Sequence, residues 1–251
     1  MRHAVFGLVI AMAAAPASAL TIGVFGGDNG TADGIAEMFS AQGHAAAAHE
    51  WTELSDGALL GTLDVIVSLR VAINQSVADR VEAGALLITE WDASDSTLNS
   101  FFLLDAADTG GDMIATGTTI TLTAEGLAAG FGADLPSGAW SDGGATEFFR
   151  TFGAIGPSVE VLATRPGDIP VLLGGSFGAG RVLIAGWDWG DQSYGAKITT
   201  GNERFLINAV GYGAELAPED PGAVVPLAAA APLLAVGLAA LAGLARRRRR
   251  A

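Results

Sequence analysis

The stretch TIGVFGGDNGTADGIAEMFSAQ, residues 21–42, decides the fold. Its first five residues are a short apolar run rich in strand-forming side chains, and residues 26–30 form a glycine-rich turn. Apolar side chains then recur at helical spacing at Ile35, Met38 and Phe39. A strand, a glycine turn and a helix in this order predict the opening of a βαβ layer.

The same alternation continues down the chain. Further strands are predicted over residues 45–51, 63–69 (LDVIVSL) and 85–91 (ALLITEW), and helices over 55–61 and 77–83. Strand–helix repeats over about 70 residues are typical of an α/β fold with a doubly wound, mostly parallel sheet and flanking helices.

The second half of the domain has a different pattern. A helix over 96–104, capped by Ser94 or Asp95, precedes a Thr-rich strand at 114–122. Predicted next are short strands at 158–163 and 169–173, a glycine-rich turn at 174–180, a last central strand at 181–187 (RVLIAGW) and a closing helix at 201–211. These elements add a β-hairpin region to the α/β sheet.

Both ends of the chain carry segments that differ from the domain. Residues 1–19 have a basic start at Arg2, an apolar stretch and an A-x-A site at residues 17–19, which predicts a signal peptide. The domain then covers 20–213, a Pro-marked linker 214–223, and a tail 224–251.

The tail has the length and composition of a C-terminal transmembrane helix. Its 22 uncharged residues, 224–245, would span about 33 Å as a helix, and a bilayer core is about 30 Å thick. Five arginines follow: Arg246, Arg247, Arg248, Arg249 and Arg250. Because arginines beside a span stay in the cytoplasm, we expect an exported, inner-membrane-anchored protein with its domain outside the cytoplasm.

The charge of the domain limits its partners. The terminal segments hold six of the 13 basic residues, which leaves seven against 27 acidic residues, a formal net charge of −20. Such a charge repels nucleic acid, so we expect no nucleic-acid partner. The chain has no cysteine, which excludes disulfides, thiolate metal sites and a cysteine nucleophile.

Acidic and aromatic residues at predicted strand ends form the candidate ligand site. Carboxyl ends of parallel strands open on one crevice, where carboxylates could bind Ca²⁺ or sugar hydroxyls and indoles could supply flat apolar contact. The candidates are Asp28 in the first glycine turn, Glu90, Trp91 and Asp92 after one strand, and Trp187, Asp188, Trp189 and Asp191 after another. The alternative is that these residues serve as turns, helix caps and core tryptophans.

An enzymatic role is the competing hypothesis. A carboxylate pair such as Asp92 and Asp188 would act on a glycosidic bond if the two groups faced it at a suitable separation. The mature chain has only His44 and His49, and both lie around the second predicted strand, away from Ser94. We therefore do not expect a Ser-His-Asp triad.

The tail resembles the sorting signals of the PEP-CTERM and VPLPA-CTERM families. It carries Val225, Pro226 and Leu227 before the apolar helix and the arginine cluster, with Ala228 where the family pattern has a second proline. The resemblance implies export, recognition by an exosortase-type protease, cleavage near Pro226 and transfer to the cell surface or matrix. A permanent membrane anchor is the alternative.

The domain is similar to the class I glutamine amidotransferase-like superfamily, which has a flavodoxin-like fold. The similarity lies in the opening IGVFGG, the hairpin PVLLGGSFGAGRVLIAGWDWG and the closing NERFLINAVGYG. Enzymes of that superfamily carry a cysteine nucleophile on the turn after a central strand, and the corresponding turn here, residues 90–94, has none. The resemblance therefore implies a fold and a non-catalytic binding role, with a carbohydrate or Ca²⁺ as the expected ligand.

Overall fold

The computed structural model describes residues 19–26, 30–113, 118–135, 138–141, 148–188 and 200–214. Numbered along the chain, the strands are β1 (Thr21–Phe25), β2 (Ala45–His49), β3 (Val65–Ser68), β4 (Leu86–Glu90), β5 (Ala107–Met113), β6 (Thr119–Leu122), β7 (Ala139–Ser141), β8 (Phe148–Gly153), β9 (Glu160–Arg165), β10 (Ile169–Phe177) and β11 (Gly180–Ala185). The helices are α1 (Thr31–Ala41), α2 (Gly57–Leu60), α3 (Gln75–Glu82), α4 (Ala93–Asp95), α5 (Ala124–Ala128), α6 (Thr200–Ala209) and α7 (Gly211–Ala214). A 3-10 helix (Trp51–Ser55) and a π-helix (Ser96–Ser100) complete the described elements.

Nine of these strands form one mixed sheet in the order β2-β1-β3-β4-β11-β10-β9-β6-β7. The half from β2 to β11 is parallel throughout, and its order is that of a flavodoxin-like doubly wound fold. The predicted α/β architecture with flanking helices is therefore confirmed.

The two faces of the parallel half are covered by different helices. Ile22 and Val24 of β1 point to the face that packs against α1 and α6, where Phe39 and Phe205 are fully buried. Alternate strand residues such as Ile66 and Leu87 face α3 on the other side. Burial on both faces explains why the central strands are continuous apolar runs.

The other half of the sheet is antiparallel. Strands β10, β9, β6 and β7 continue outward from β11, and β5 pairs with β8 in a separate two-stranded sheet. The described pairings of the main sheet are thus divided between parallel and antiparallel, and the sheet is mixed, not mostly parallel. The predicted hairpin region is larger than the sequence indicates because long-range pairing of short strands leaves little local signal.

Strand β10 shows why one predicted turn is wrong. It runs through Gly174 and Gly175, which the sequence analysis places in a turn. A Cβ on Gly174 would overlap the Tyr212 hydroxyl, and one on Gly175 would lie 2.7 Å from the Leu104 Cδ2 atom. These glycines therefore mark close packing on both faces of a strand and not a reversal of the chain.

The turn itself is shorter. It consists of Gly178, with a φ of 59°, and Ala179.

Several predicted boundaries also change. The helix expected over 96–104 is replaced by α4 and the π-helix, and neither begins with a side-chain cap. The strand expected over 114–122 is described only as β6, since residues 114–117 lie outside the described ones. The helix expected over 55–61 is the short α2, capped by the Asp56 side chain, which accepts from the backbone N–H groups of Ala58 and Leu59.

The predicted transmembrane helix and signal peptide fall outside the described residues. Within the described ranges, no helix has the length and apolar character that crossing a membrane requires.

Candidate functional site at the strand ends

Three neighbouring parallel strands bring charged and aromatic residues to the same edge of the sheet. Arg70 lies two residues beyond β3, Trp91 directly follows β4, and Asp188 lies three residues beyond β11. Because β4 lies between β3 and β11 in the sheet, the three residues are adjacent at the carboxyl ends of the strands. Ligands of doubly wound folds bind at this edge.

Trp91 occupies a strained turn between β4 and α4. Its φ is 39°, a left-handed value that residues with a Cβ rarely adopt. Its N–H donates to the Ala185 carbonyl at 2.9 Å, and its carbonyl accepts from the N–H of Ser94 at 3.1 Å. The Ser94 hydroxyl donates to the same carbonyl at 2.5 Å. These bonds hold the strained backbone in place, and strain of this kind is concentrated at functional sites.

Arg70 connects the three strand ends. Its guanidinium carbon lies 5.0 Å from the centroid of the Trp91 ring, a cation–π contact, and its Nη2 atom forms an ion pair with the Asp188 carboxylate. The Asp188 side chain is 1% exposed and that of Arg70 is 32% exposed. The buried carboxylate is thus compensated by a guanidinium that still reaches solvent.

A second arginine supports the turn from the two-stranded sheet. The Arg150 Nε atom donates to Asp108 Oδ2 at 2.8 Å, and its Nη1 atom donates to Asp92 Oδ1 at 3.2 Å. Ser94 also donates to Asp108, and the Gly110 N–H donates to the other Asp108 oxygen at 2.8 Å. The fully buried Asp108 carboxylate therefore ties β5 and β8 to the turn that carries Trp91.

The predicted site residues divide into two groups. Trp91 is half-buried and the Asp92 side chain is 58% exposed, so both present atoms to solvent. Glu90 and Asp188 are buried. Asp28, Trp189 and Asp191 lie outside the described residues.

Trp187 belongs to the core. It is 1% exposed, its ring lies 5.1 Å from that of Phe205 and 5.8 Å from that of Trp140, and its indole N–H donates to Asn202 at 3.1 Å. Its placement matches the alternative that the sequence analysis gives for this residue, a tryptophan that fills the interior beside the sheet.

Arg70, Asp108 and Arg150 are site residues that sequence reasoning missed. Arg70 had a local signal, since it directly follows the apolar run LDVIVSL at the edge where Glu90 and Asp92 were sought. Asp108 and Arg150 had none. They reach the site only because β5 and β8 pair across 42 positions of sequence.

The described residues hold no Ser–His pair at this site. His44 accepts a hydrogen bond from the Leu20 N–H at 3.3 Å, and His49 stacks on Phe25 at 5.1 Å. Both lie beside or on β2, which is separated from β4 by β1 and β3. Ser94 is fully buried with its hydroxyl directed to Trp91 and Asp108.

Among the residues that the structure describes, no group of three or more His, Cys, Asp or Glu side chains is arranged to hold a metal ion.

Comparison with known proteins identifies the fold. No protein-family model matches the chain, and no curated protein matches it. Among solved structures, a cytoplasmic protein from Salmonella typhimurium LT2 has a TM-score of 0.58 at 12% identity, over 78% of this chain and 99% of the other. A second cytoplasmic protein from Salmonella typhimurium has a TM-score of 0.58 at 11% identity, over 77% and 98% of the two chains.

A third similar structure is a protein from Thermoplasma acidophilum that is assigned as the smaller part of a GMP synthase. Its TM-score is 0.56 at 12% identity, over 79% of this chain and 96% of the other. At these identities the likeness shows the fold alone. It confirms at that level the glutamine amidotransferase-like fold that the sequence predicts.

The comparison corrects the predicted localisation. Two of the similar structures are cytoplasmic proteins, which contradicts the expected location outside the cytoplasm with an inner-membrane anchor, and we do not retain that expectation. The resemblance of residues 224–251 to a sorting signal stays a prediction from the sequence.

Proposed function

We propose that this protein is a non-catalytic binding protein whose ligand is a polyhydroxyl compound, a carbohydrate, held at the strand ends around Trp91. The observation that carries the proposal is the strained turn at Trp91. An unfavourable backbone conformation costs on the order of 1–3 kcal/mol and persists where the surrounding structure enforces it. Here the enforcing contacts converge on a residue that presents an indole to solvent.

The turn has the shape of a nucleophile turn without a nucleophile. The amidotransferase-like resemblance implies a cysteine on the turn after a central strand, and at that turn this chain has Trp91 at the strained position. An indole cannot attack a carbonyl, but its face offers flat apolar contact area. We therefore assign this turn to binding.

The groups around the indole suit a ligand rich in hydroxyls. Asp92 supplies exposed acceptor oxygens, and Arg70 supplies donors from a partly exposed guanidinium. A sugar hydroxyl both donates and accepts, and the C–H face of a sugar ring packs on an aromatic ring. Acceptors and donors on either side of an indole therefore match a sugar better than a purely anionic or purely cationic ligand.

The same contacts do not favour the hydrolase alternative. The two carboxylates that it requires each lie beside a guanidinium, Asp92 beside Arg150 and Asp188 beside Arg70. Asp188 is also buried, whereas Asp92 faces solvent. The pair does not present two free carboxylates to one bond.

Ca²⁺ is the weaker ligand hypothesis for a similar reason. A calcium site needs several carboxylate or carbonyl oxygens directed at one point. At this edge the guanidinium groups of Arg70 and Arg150 already supply the compensating positive charge for Asp188, Asp108 and Asp92.

The test is titration calorimetry of the full chain with a panel of mono- and oligosaccharides and, separately, with CaCl₂. We expect at least one sugar to bind, and we expect Trp91→Ala and Asp92→Asn each to weaken that binding at least tenfold, which corresponds to about 1.4 kcal/mol. Leu127→Ala is the matched control, since Leu127 is an exposed apolar residue on α5, away from the strand ends. Binding of Ca²⁺ alone, or sugar binding that survives both site substitutions, contradicts the proposal.

A further inference from the structure

A second tryptophan lies exposed at the same edge of the sheet. Trp51 is 57% exposed and begins the 3-10 helix that follows β2. Its backbone is well held. The Glu50 N–H donates to the Glu53 carboxylate at 2.8 Å, and Leu54, one turn later, is buried in the core. An ordered segment therefore presents a large, rigid aromatic side chain to water.

The sheet fixes the distance between the two tryptophans. Strands β2 and β4 are parallel, so Trp51 and Trp91 both lie beyond carboxyl ends at one edge. The order β2-β1-β3-β4 puts three strand spacings between them, about 14 Å at about 4.8 Å per spacing. This separation exceeds one sugar ring, and a chain of several rings would cover it.

The residues between and around the tryptophans set the polarity of such a ligand. A chain that crosses the ends of β1 and β3 passes Gly26 and the partly exposed head of Arg70. At the two ends it meets exposed carboxylates, Glu53 beside Trp51 and Asp92 beside Trp91, whose side chains are 46% and 58% exposed. With a net charge of −14 on the whole chain, an anionic polymer is repelled.

We propose that the binding site extends from Trp91 to Trp51 and takes a neutral linear glycan, with one sugar ring on each indole. This inference rests on the proposed function and adds to it the ligand's length and charge. Trp91 with its polar neighbours binds one ring with defined hydrogen bonds, and Trp51 adds apolar contact for a ring farther along the same chain.

The experiment uses three oligosaccharide ladders and calorimetry of the full chain. The neutral ladders are β-1,4-linked glucose and β-1,4-linked N-acetylglucosamine, from one to six rings, and the anionic ladder is α-1,4-linked galacturonate. For a neutral ladder we expect affinity to rise with length and to level off once the chain covers both indoles. Trp51→Ala should remove that rise, weakening the longest chains about tenfold while leaving the shortest unchanged, and Trp51→Phe should restore most of it.

The outcomes separate this inference from the proposed function. If Trp91→Ala abolishes binding and Trp51→Ala has the same affinities as the wild type at every length, the extension is wrong and the carbohydrate site at Trp91 stands. Tighter binding of the galacturonate ladder than of the neutral ladders also overturns the extension. If no ladder binds the wild type, both proposals fail for these sugars. Because Trp51 is exposed, its substitution leaves the core intact, and Leu127→Ala again serves as the control.

Discussion

The Arg70 guanidinium passes over the Trp91 ring to reach the buried carboxylate of Asp188, so that one side chain joins the ends of β3, β4 and β11. The ion pair therefore crosses the strand that carries the strained turn. Its Arg70 end is partly exposed and its Asp188 end is not, and this asymmetry determines which substitution costs more.

Removing the arginine should be strongly destabilising. Arg70→Ala leaves the Asp188 carboxylate buried without its guanidinium, which should lower the free energy of unfolding by about 3 kcal/mol. Adding Asp188→Asn should recover part of that loss, because the buried charge is then gone. Urea unfolding of the wild type, both single variants and the double variant measures the coupling. Strict additivity of the two single effects would show that the ion pair contributes nothing.

The strained turn predicts an inverted preference between glycine and alanine at residue 91. Glycine normally destabilises a folded chain by roughly 0.5–1 kcal/mol relative to alanine. At a φ of 39°, however, a Cβ is unfavourable, and we expect Trp91→Gly to be more stable than Trp91→Ala by about 1 kcal/mol. Both variants lose the indole equally, so their difference in urea midpoint isolates the backbone term.

The neighbouring residue provides the matched control for that comparison. Asp92 has a φ of −68° and a ψ of −22°, an ordinary helical conformation. There Asp92→Ala should be more stable than Asp92→Gly. The same order at both positions would mean that the turn at Trp91 is not strained in solution.

Two glycines predict opposite effects of the same substitution. Gly180 begins β11, and a Cβ there would overlap the backbone carbonyl oxygens of Val81 and Ala85. Gly180→Ala should therefore destabilise the fold by about 2 kcal/mol, as overpacking does. Gly34 is exposed in α1 with no atom within 4 Å of its Cβ position, and Gly34→Ala should stabilise by roughly 0.5–1 kcal/mol. Thermal melts that move both variants in one direction would contradict this account.

The sequence was sufficient for the parallel half of the sheet and insufficient for the antiparallel half. Strands such as β3 and β4 are buried on both faces, so an apolar run identifies them without knowledge of their partners. By contrast, β6 and β7 are short and alternate in polarity, and their pairing depends on contacts distant in sequence.

The candidate site was predictable to a similar extent. Trp91 and Asp92 were found because the end of a central strand is a local feature of the sequence. Their support by Arg150 and Asp108 could not be found, because the two-stranded sheet that brings these residues to the turn forms only in the folded chain.

The last prediction concerns stability at high pH and rests on Tyr212. Burial raises the pKa of Tyr212 well above its ordinary value, and the hydrogen bond that its hydroxyl donates to Glu160 at 2.7 Å raises it further, while the nearby Arg181 charge acts in the opposite direction. In the unfolded chain a tyrosine releases its proton near pH 10. Above that pH the unfolded state loses a proton that the folded state keeps, so the free energy of unfolding should fall as pH rises beyond about 10, by at most about 1.4 kcal/mol per pH unit.

Substitution of Tyr212 isolates this effect. Tyr212→Phe removes the hydrogen bond to Glu160 and should lower stability at pH 8 by about 1 kcal/mol. The loss relative to the wild type should shrink as the pH rises from 10 to 11, because the variant lacks the titrating hydroxyl. Few other groups titrate there, since the chain has one lysine, Lys197, and one other tyrosine, Tyr194. Urea midpoints between pH 8 and 11 for wild type, Tyr212→Phe and the control Tyr194→Phe test the prediction, and parallel pH curves for wild type and Tyr212→Phe would refute it.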